Sequence, residues 1–452
     1  MTPSWAQDAF FYHIYPLGFC GAPKHIDFNA GPVPRLEKIY SWLDHIQELG
    51  ANALYLGPLF ESTSHGYDTA DYYHVDRRLG TRQTLADLSR EIHRRGMRLV
   101  LDGVFNHVGR DFWAFRDLLQ WREDSAYRGW FHNLDFSRRS PKGDPFSYEG
   151  WAGHYSLVKL NLHNSDVRRH LFDAVTMWVE ELGIDGLRLD AADVLDHQFL
   201  RDLAAHGRAL RPDFWLMGEI VHGDYRQIAN PTMLDSATNY ECYKGLYSSL
   251  NDRNYFEIAY ALNRQFGPGG IYQGTALYNF ADNHDVNRVA SNIRNPEHLP
   301  LLYALLFTMP GIPSVYYGSE WGVKGERTPY SDEVLRPCLE LAQAPSQPYP
   351  ALSETIARLA RVRRETPALR CGSYQQLHAA AEQFAFLRAR EDGAAAVAFN
   401  AASSPAALEL KLEGRNAWLE DALDGARFAL QNGAARVEIP AHSARILRWL
   451  PG

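Results

Sequence analysis

The sequence predicts an α/β fold, a closed (β/α)8 barrel interrupted after its third strand and followed by an antiparallel β-sandwich. Three observations predict it. Up to residue 366, short apolar runs that end in polar residues alternate about eight times with helical stretches, and such alternation implies a parallel sheet. No GxGxxG or GxxxxGK follows the first run, as an open, doubly wound sheet would normally show. From about residue 367 the texture changes to short alternating runs punctuated by Asp392-Gly393, Asp424-Gly425 and Asn432-Gly433, pairs that favour hairpin turns. Eight strand–helix units fit a TIM-type barrel with insertions. The expected units are a barrel over 1–106 and 161–366, an insertion over 107–160 and a C-terminal sandwich over 367–452.

Each element has its own signal. "FFYHIYPLGF" (10–19) is strand-like. The next stretch places Leu36, Ile39, Leu43, Ile46 and Leu49 on one helical face, with Gly50 as the stop. "ANALYLGPLF" is the second strand; a helix over 83–95 leads to the third, "MRLVLDGVFNH". More than fifty residues rich in Gly, Trp, Phe and charge then precede the helix near 165. A connection that long forms a functional excursion or a small unit of its own. Asn164 or Ser165 caps that helix and Gly183 ends it. "DGLRLDAAD", a helix near 197–210, "FWLMGEIV", a weaker strand near "SATNYE", a long helix, "TALYNFADNHD", another helix and "GIPSVYYGSE" complete the barrel.

The bulk numbers exclude several classes. The chain has 452 residues, a net charge of −8 and 46% hydrophobic content. A mildly acidic chain argues against nucleic acid or an anionic membrane as partner. Cys20, Cys242, Cys338 and Cys371 are scattered with no CxxC pair, which suits reduced thiols in a cytoplasmic protein. The amino terminus carries no signal-peptide pattern, and no run reaches the roughly 20 apolar residues of a membrane span. Oligomeric state is not legible.

The chemistry lies at strand ends. Side chains two apart on a strand point the same way. In "GLRLDAAD" Leu187, Leu189 and Ala191 therefore face the helices, while Arg188 and Asp190 face into the barrel near its carboxyl end. A bare ion pair would explain these two residues alone. Three more strands end in kind: "LDGVFNH" with Asp102, Asn106 and His107, "LMGEIVHG" with Glu219, and "FADNHD" with His284 and Asp285. Barrel enzymes place their chemistry at this rim, and burying several like charges is costly unless they are used.

"LDGVFNH", "GLRLDAAD", "MGEI" and "FADNHD" resemble the four signature segments of the α-amylase family of retaining glycoside hydrolases and transglycosidases (glycoside hydrolase family 13). "FYHIYPLGF", "HGYDTADYYHVDRRLGT" and "GIPSVYYGSE" are similar to its other recurrent stretches, and "LVKLN" (157–161) to a segment of the neopullulanase, cyclomaltodextrinase and maltogenic amylase branch. The chain begins at the first strand, so that branch's N-terminal domain is expected to be lacking, and its dimer is not carried over. The resemblance implies Asp190 as nucleophile, Glu219 as general acid/base and Asp285 as the third carboxylate. Arg188 beside Asp190 favours its anion. It also implies sugar-hydroxyl binding by His107 and His284, a stacking platform at Tyr67, and binding of the next sugar on the non-reducing side by Asp332 and Arg336. Asp102 is expected to be a structural acid.

The sequence departs from the branch after the acid, where Val221 replaces a tryptophan, and after the nucleophile, where Ala191-Ala192-Asp193 stands. No cofactor is required. Calcium (Ca2+) is admitted between barrel and excursion, with Asn106 as one ligand. The expected activity is hydrolysis of α-1,4-glucosidic bonds in maltodextrins, with cyclodextrins or pullulan as further substrates. Two rivals stand beside it: a transglycosidase or isomerase using the same site, and a non-catalytic carbohydrate-binding protein on the same fold.

Overall fold

The protein is described by a computed structural model over residues 2–412 and 417–450. Eight strands run parallel: β1 (Phe11–Ile14), β2 (Ala53–Leu56), β3 (Arg98–Gly103), β4 (Gly186–Leu189), β5 (Trp215–Gly218), β6 (Ser236–Ala237), β7 (Tyr278–Phe280) and β8 (Ile312–Tyr316). Their order is β6-β5-β4-β3-β2-β1-β8-β7. A parallel bridge between Thr238 and Tyr278 joins the two ends, so the ring closes as expected, with its thinnest seam beside the two-residue β6.

Alternation sorts the side chains of the ring. Tyr12, Leu54, Leu99, Leu187 and Leu216 pack outward into the main core shared with the helices. Phe11, Tyr55, Val100, Trp215 and Tyr278 belong to a separate interior cluster. The Phe11 and Trp215 rings stack at 5.1 Å across that interior. Gly186, opposite Trp215 in the β4–β5 register, has no side chain for a reason: a Cβ there would stand 2.4 Å from the Trp215 carbonyl oxygen.

The helices follow the sequence with one adjustment. The stretch read as one helix over 36–49 is a 3-10 helix (Arg35–Trp42) followed by an α-helix (Leu43–Glu48). Spacings of three and four keep Leu36, Ile39, Leu43 and Ile46 buried in either geometry. The helix Ser165–Glu180 begins at Asn164, whose side chain accepts hydrogen bonds from the Asp166 and Val167 backbone N–H groups. The segment after β3 carries a three-stranded antiparallel sheet (His107–Gly109, Gly150–Trp151, His154–Lys159) and a helix, Trp113–Trp121.

Eight further strands, β9 (Ser373–Ala379), β10 (Gln383–Arg390), β11 (Gly393–Asn400), β12 (Ala406–Lys411), β13 (Ala417–Asp421), β14 (Arg427–Gln431), β15 (Ala434–Ile439) and β16 (Ser443–Trp449), form one antiparallel sheet in the order β9-β10-β11-β16-β13-β14-β15-β12. It folds over so that Ala385, Ala396 and Ala398 share a core with Leu408, Val437 and Ile439. Asn432 and Gly433 both take positive φ, as the expected tight turn requires. At the β10–β11 hairpin the turn residues are Glu391 and Asp392, not Asp392-Gly393, because Gly393 already pairs with Arg390. A buried arginine of β10, Arg388, fastens this sheet to the barrel by donating to the Thr308 carbonyl, and it donates to that of Leu369 as well. Arg363, buried in the helix Leu352–Glu365, donates to the carbonyls of Phe307 and Gly311. Cations at the end of the helix Leu299–Thr308 meet its unpaired carbonyls.

Candidate active site

Three neighbouring strands deliver one constellation. Arg188, on β4, puts one guanidinium nitrogen 3.0 Å from Asp190 Oδ1 and 3.0 Å from Asp102 Oδ1. Its other terminal nitrogen lies 2.9 Å from Glu219 Oε2. A single planar cation therefore touches carboxylates from the ends of β3, β4 and β5. The backbone completes the lacing: Asp190 N–H donates to the Gly103 carbonyl at 3.1 Å and Glu219 N–H to that of Leu189 at 2.9 Å. Ala191 takes a left-handed conformation (φ 46°, ψ 43°), a strained choice for a residue with a Cβ. In that conformation its N–H donates to Glu219 Oε2 at 3.1 Å.

Asp102 is the structural acid expected of it. It is buried, accepts from Arg188 with both oxygens, and also accepts from the Tyr55 and Tyr67 hydroxyls at 2.8 and 3.0 Å. Asp190 faces a harder environment. Burial pushes its carboxyl well above the usual range; Arg188 opposes this, and the charges of Glu219, Asp102 and Asp285 reinforce it. Arg188 favours the Asp190 anion, as the sequence reading has it, but a single cation does not outweigh burial and this many carboxylates.

Asp285 approaches from β7. Its Oδ2 is 2.9 Å from His284 Nε2 and its Oδ1 3.0 Å from Arg336. Burial pushes its carboxyl up, but His284 and Arg336 more than offset that and hold it well below the usual range. Arg336 also contacts Asp332 at 2.6 Å and lies over the Tyr15 ring. Arg336 is thus joined to the third carboxylate directly, and Asp332 through it.

The aromatic and imidazole groups fill the gaps. Tyr67 hydrogen-bonds His284, the two rings stack at 5.5 Å, and Arg188 lies over the Tyr67 face at 5.9 Å. His107 stacks on Trp151 of the excursion. Its Nδ1 accepts from the Asn106 side chain, which leaves the proton on Nε2. That Nε2 is buried, has no hydrogen-bond partner, and sits 4.0 Å from Asp190 Oδ2. Burial, reinforced by His65, lowers the His107 pKa to about 4, so the ring is neutral and presents an N–H. His284 Nδ1 is likewise buried and unpartnered. Every residue singled out from the sequence therefore lies in one connected set.

The site geometry agrees with what the chain is similar to. Residues 14–344 match the family model "Alpha amylase, catalytic domain". The chain belongs to the α-amylase family. It is 32% identical over 99% of its length to Neopullulanase 2 of Thermoactinomyces vulgaris, covering 78% of that protein. It is 31% identical over 75% of its length to the Intracellular maltogenic amylase of Bacillus subtilis (strain 168), covering 59% of that protein. A solved structure of a cyclomaltodextrinase superposes with a TM-score of 0.87 at 28% identity, spanning 100% of this chain and 79% of the other. As a member of the α-amylase family the chain is a glycosidase acting on α-glucans.

Within that α-amylase site, two features lay outside the sequence reading. His13, on β1, is buried against Tyr55 with ring centroids 4.2 Å apart and against His284 at 5.3 Å, and its Nε2 has no partner. Its inward position follows from alternation with Phe11 and was legible. Trp151, which walls His107, sits in a two-residue strand too short to show a periodicity. The Asn106 amide nitrogen donates to His107 Nδ1, and among the described residues no group of three or more His, Cys, Asp or Glu side chains is placed to hold a metal. No step is routed through an ion. The four cysteines are unpaired, and among the described residues no helix is long and apolar enough to cross a membrane.

Proposed function

We propose that this α-amylase-family protein hydrolyses α-1,4-glucosidic bonds of maltodextrins, including cyclic ones, with retention of anomeric configuration. The observation that carries the reading is the shared Arg188 guanidinium, which turns Asp190 and Glu219 toward one pocket. Retaining enzymes need two such carboxyl groups about 5–5.5 Å apart. Glu219 acts as the general acid: its carboxyl proton passes to the glycosidic oxygen as the bond to C1 breaks. Asp190 Oδ1 is held by Arg188, so the free Oδ2 attacks C1 and forms the glycosyl-enzyme. Glu219, now anionic, removes a proton from water; the oxygen attacks C1, and Asp190 leaves as carboxylate.

Asp285, held anionic by His284 and Arg336, stabilises positive charge at the anomeric carbon and accepts hydrogen bonds from sugar hydroxyls. The neutral His107 N–H donates to a sugar hydroxyl next to the nucleophile. Tyr67 offers an aromatic surface to the reacting ring, and Asp332 and Arg336 hold the next unit. The excursion over 107–160 forms the wall that carries His107 and Trp151. The relatives' printed names, a neopullulanase and a cyclomaltodextrinase, support pullulan and cyclodextrins as further substrates. A relative named intracellular, together with two exposed unpaired thiols, supports the cytoplasm as the compartment.

The test compares wild type, Asp190→Asn and Glu219→Gln on a nitrophenyl maltoside, with proton NMR of the first-formed anomer. Each variant should lose roughly 10^3-fold or more in kcat while keeping its unfolding midpoint, and wild type should release the α-anomer first. Equal rates for wild type and Asp190→Asn would remove the assignment. Product time courses on maltoheptaose, cyclodextrin and pullulan then rank the substrates.

A further inference from the structure

Past β8 the chain returns over the mouth of the barrel through residues 324–336. Both ends of this segment are stapled to the stretch that follows Asp285. Gly325 N–H donates to Ser291 Oγ at 2.9 Å, Arg327 N–H donates to Asn287 Oδ1 at 2.8 Å, and Arg288 donates to the Leu335 carbonyl at 2.8 Å. Between the staples lies a closed turn. Thr328 N–H donates to the Ser331 carbonyl at 2.9 Å, and Thr328 Oγ1 accepts from the Tyr330 and Ser331 backbone N–H groups at 3.3 and 2.9 Å. Tyr330 stands at the tip of this turn and is 97% exposed, the most exposed large apolar side chain among the described residues.

A lone exposed aromatic is ordinary. This one is held in water by a fixed turn, two residues before Asp332, which contacts Arg336 and through it Asp285. The Arg327 guanidinium also reaches the Asp285 carbonyl at 3.4 Å. The ring is thus presented at the cleft rim by the same segment that helps hold the third carboxylate. Pyranoses carry an apolar C–H face, and a phenol ring supplies the matching surface with little conformational freedom to lose.

We propose that Tyr330 is a substrate-binding residue that stacks on a glucose unit beyond the one held by Asp332 and Arg336. It thereby sets a preference for α-glucans of three or more units on that side of the reacting bond. The inference rests on the activity proposed above and names a further residue for it.

Tyr330→Ala and Tyr330→Phe are compared with wild type on maltoheptaose, which reaches the ring, and on a nitrophenyl maltoside, which is too short to do so. Tyr330→Ala should raise KM for maltoheptaose about tenfold, with kcat within twofold and the maltoside kinetics unchanged; Tyr330→Phe should behave as wild type. Calorimetric binding of maltoheptaose to Asp190→Asn with and without Tyr330→Ala should show the same tenfold loss. An unchanged KM for maltoheptaose overturns the proposal, and so do equal losses on both substrates, which would mark a loop-ordering role. A wild type that cleaves neither substrate refutes the assigned activity instead, and the calorimetric comparison then decides the Tyr330 inference by itself.

Discussion

At the scale of the residue, Arg188 is the side chain on which most depends. It is almost fully buried and serves three carboxyl groups, so its removal does more than delete contacts. Arg188→Met leaves Asp102, Asp190 and Glu219 crowded in a low-dielectric pocket with no cation on β4. The expected loss of stability is about 3–5 kcal/mol, read from urea unfolding. Arg188→Lys restores charge but not the fork and should recover only part of it. A full recovery by lysine would show that charge alone matters. Arg188 and Asp190 were legible because they break an apolar run on a strand, where alternation tells which way they point; Glu219 and Asp285 were legible from their strand-end segments and the resemblance those carry. The upward push on the Asp190 carboxyl was not legible. Sequence shows the arginine two residues away but not the carboxylates that two other strands bring beside it.

At the scale of the element, the strands were readable in type and the connections were not. β4 and β5 announce themselves as short apolar runs between helical patterns, whereas β6 has only two residues in ladder pairing and gives almost no periodic signal. The turn at Asp392 slipped by one residue because strand pairing extended to Gly393. Inside the barrel, fit is decided by single atoms. Gly186→Ala would place its Cβ against the carbonyl of Trp215, which backbone pairing holds in place. Overpacking of this kind costs typically 1–3 kcal/mol, so the denaturation midpoint should fall measurably while the helices retain their circular dichroism. A midpoint equal to that of wild type would show that β5 can shift aside without cost.

At the scale of the whole molecule, the buried imidazoles tie the site to the pH dependence of folding. His107 has a pKa lowered to about 4 in the fold, first by burial, and titrates near 6.5 in an unfolded chain. Its contribution to stability is complete above about pH 6.5 and is lost as pH falls toward 4, since only the unfolded chain gains the proton. The stability gap between His107→Gln and wild type should therefore shift by about 3 kcal/mol in the variant's favour between pH 7.5 and pH 4. A gap that is the same at both ends of that range would mean that the ring charges within the fold. The three-part architecture was legible from texture alone and His107 from its motif, while Trp151 was not, because a two-residue strand is too short to show a period. The planar cation at the centre of the strand ends has a last consequence. Separation between attacking oxygen and proton donor is set by the bond geometry of one guanidinium, not by the loops around it. The turn at the tip of the rim, Thr328 to Ser331, is therefore free to change composition over evolutionary time while Asp332 and Arg336 stay in place, and new glucan preferences arise at constant chemistry.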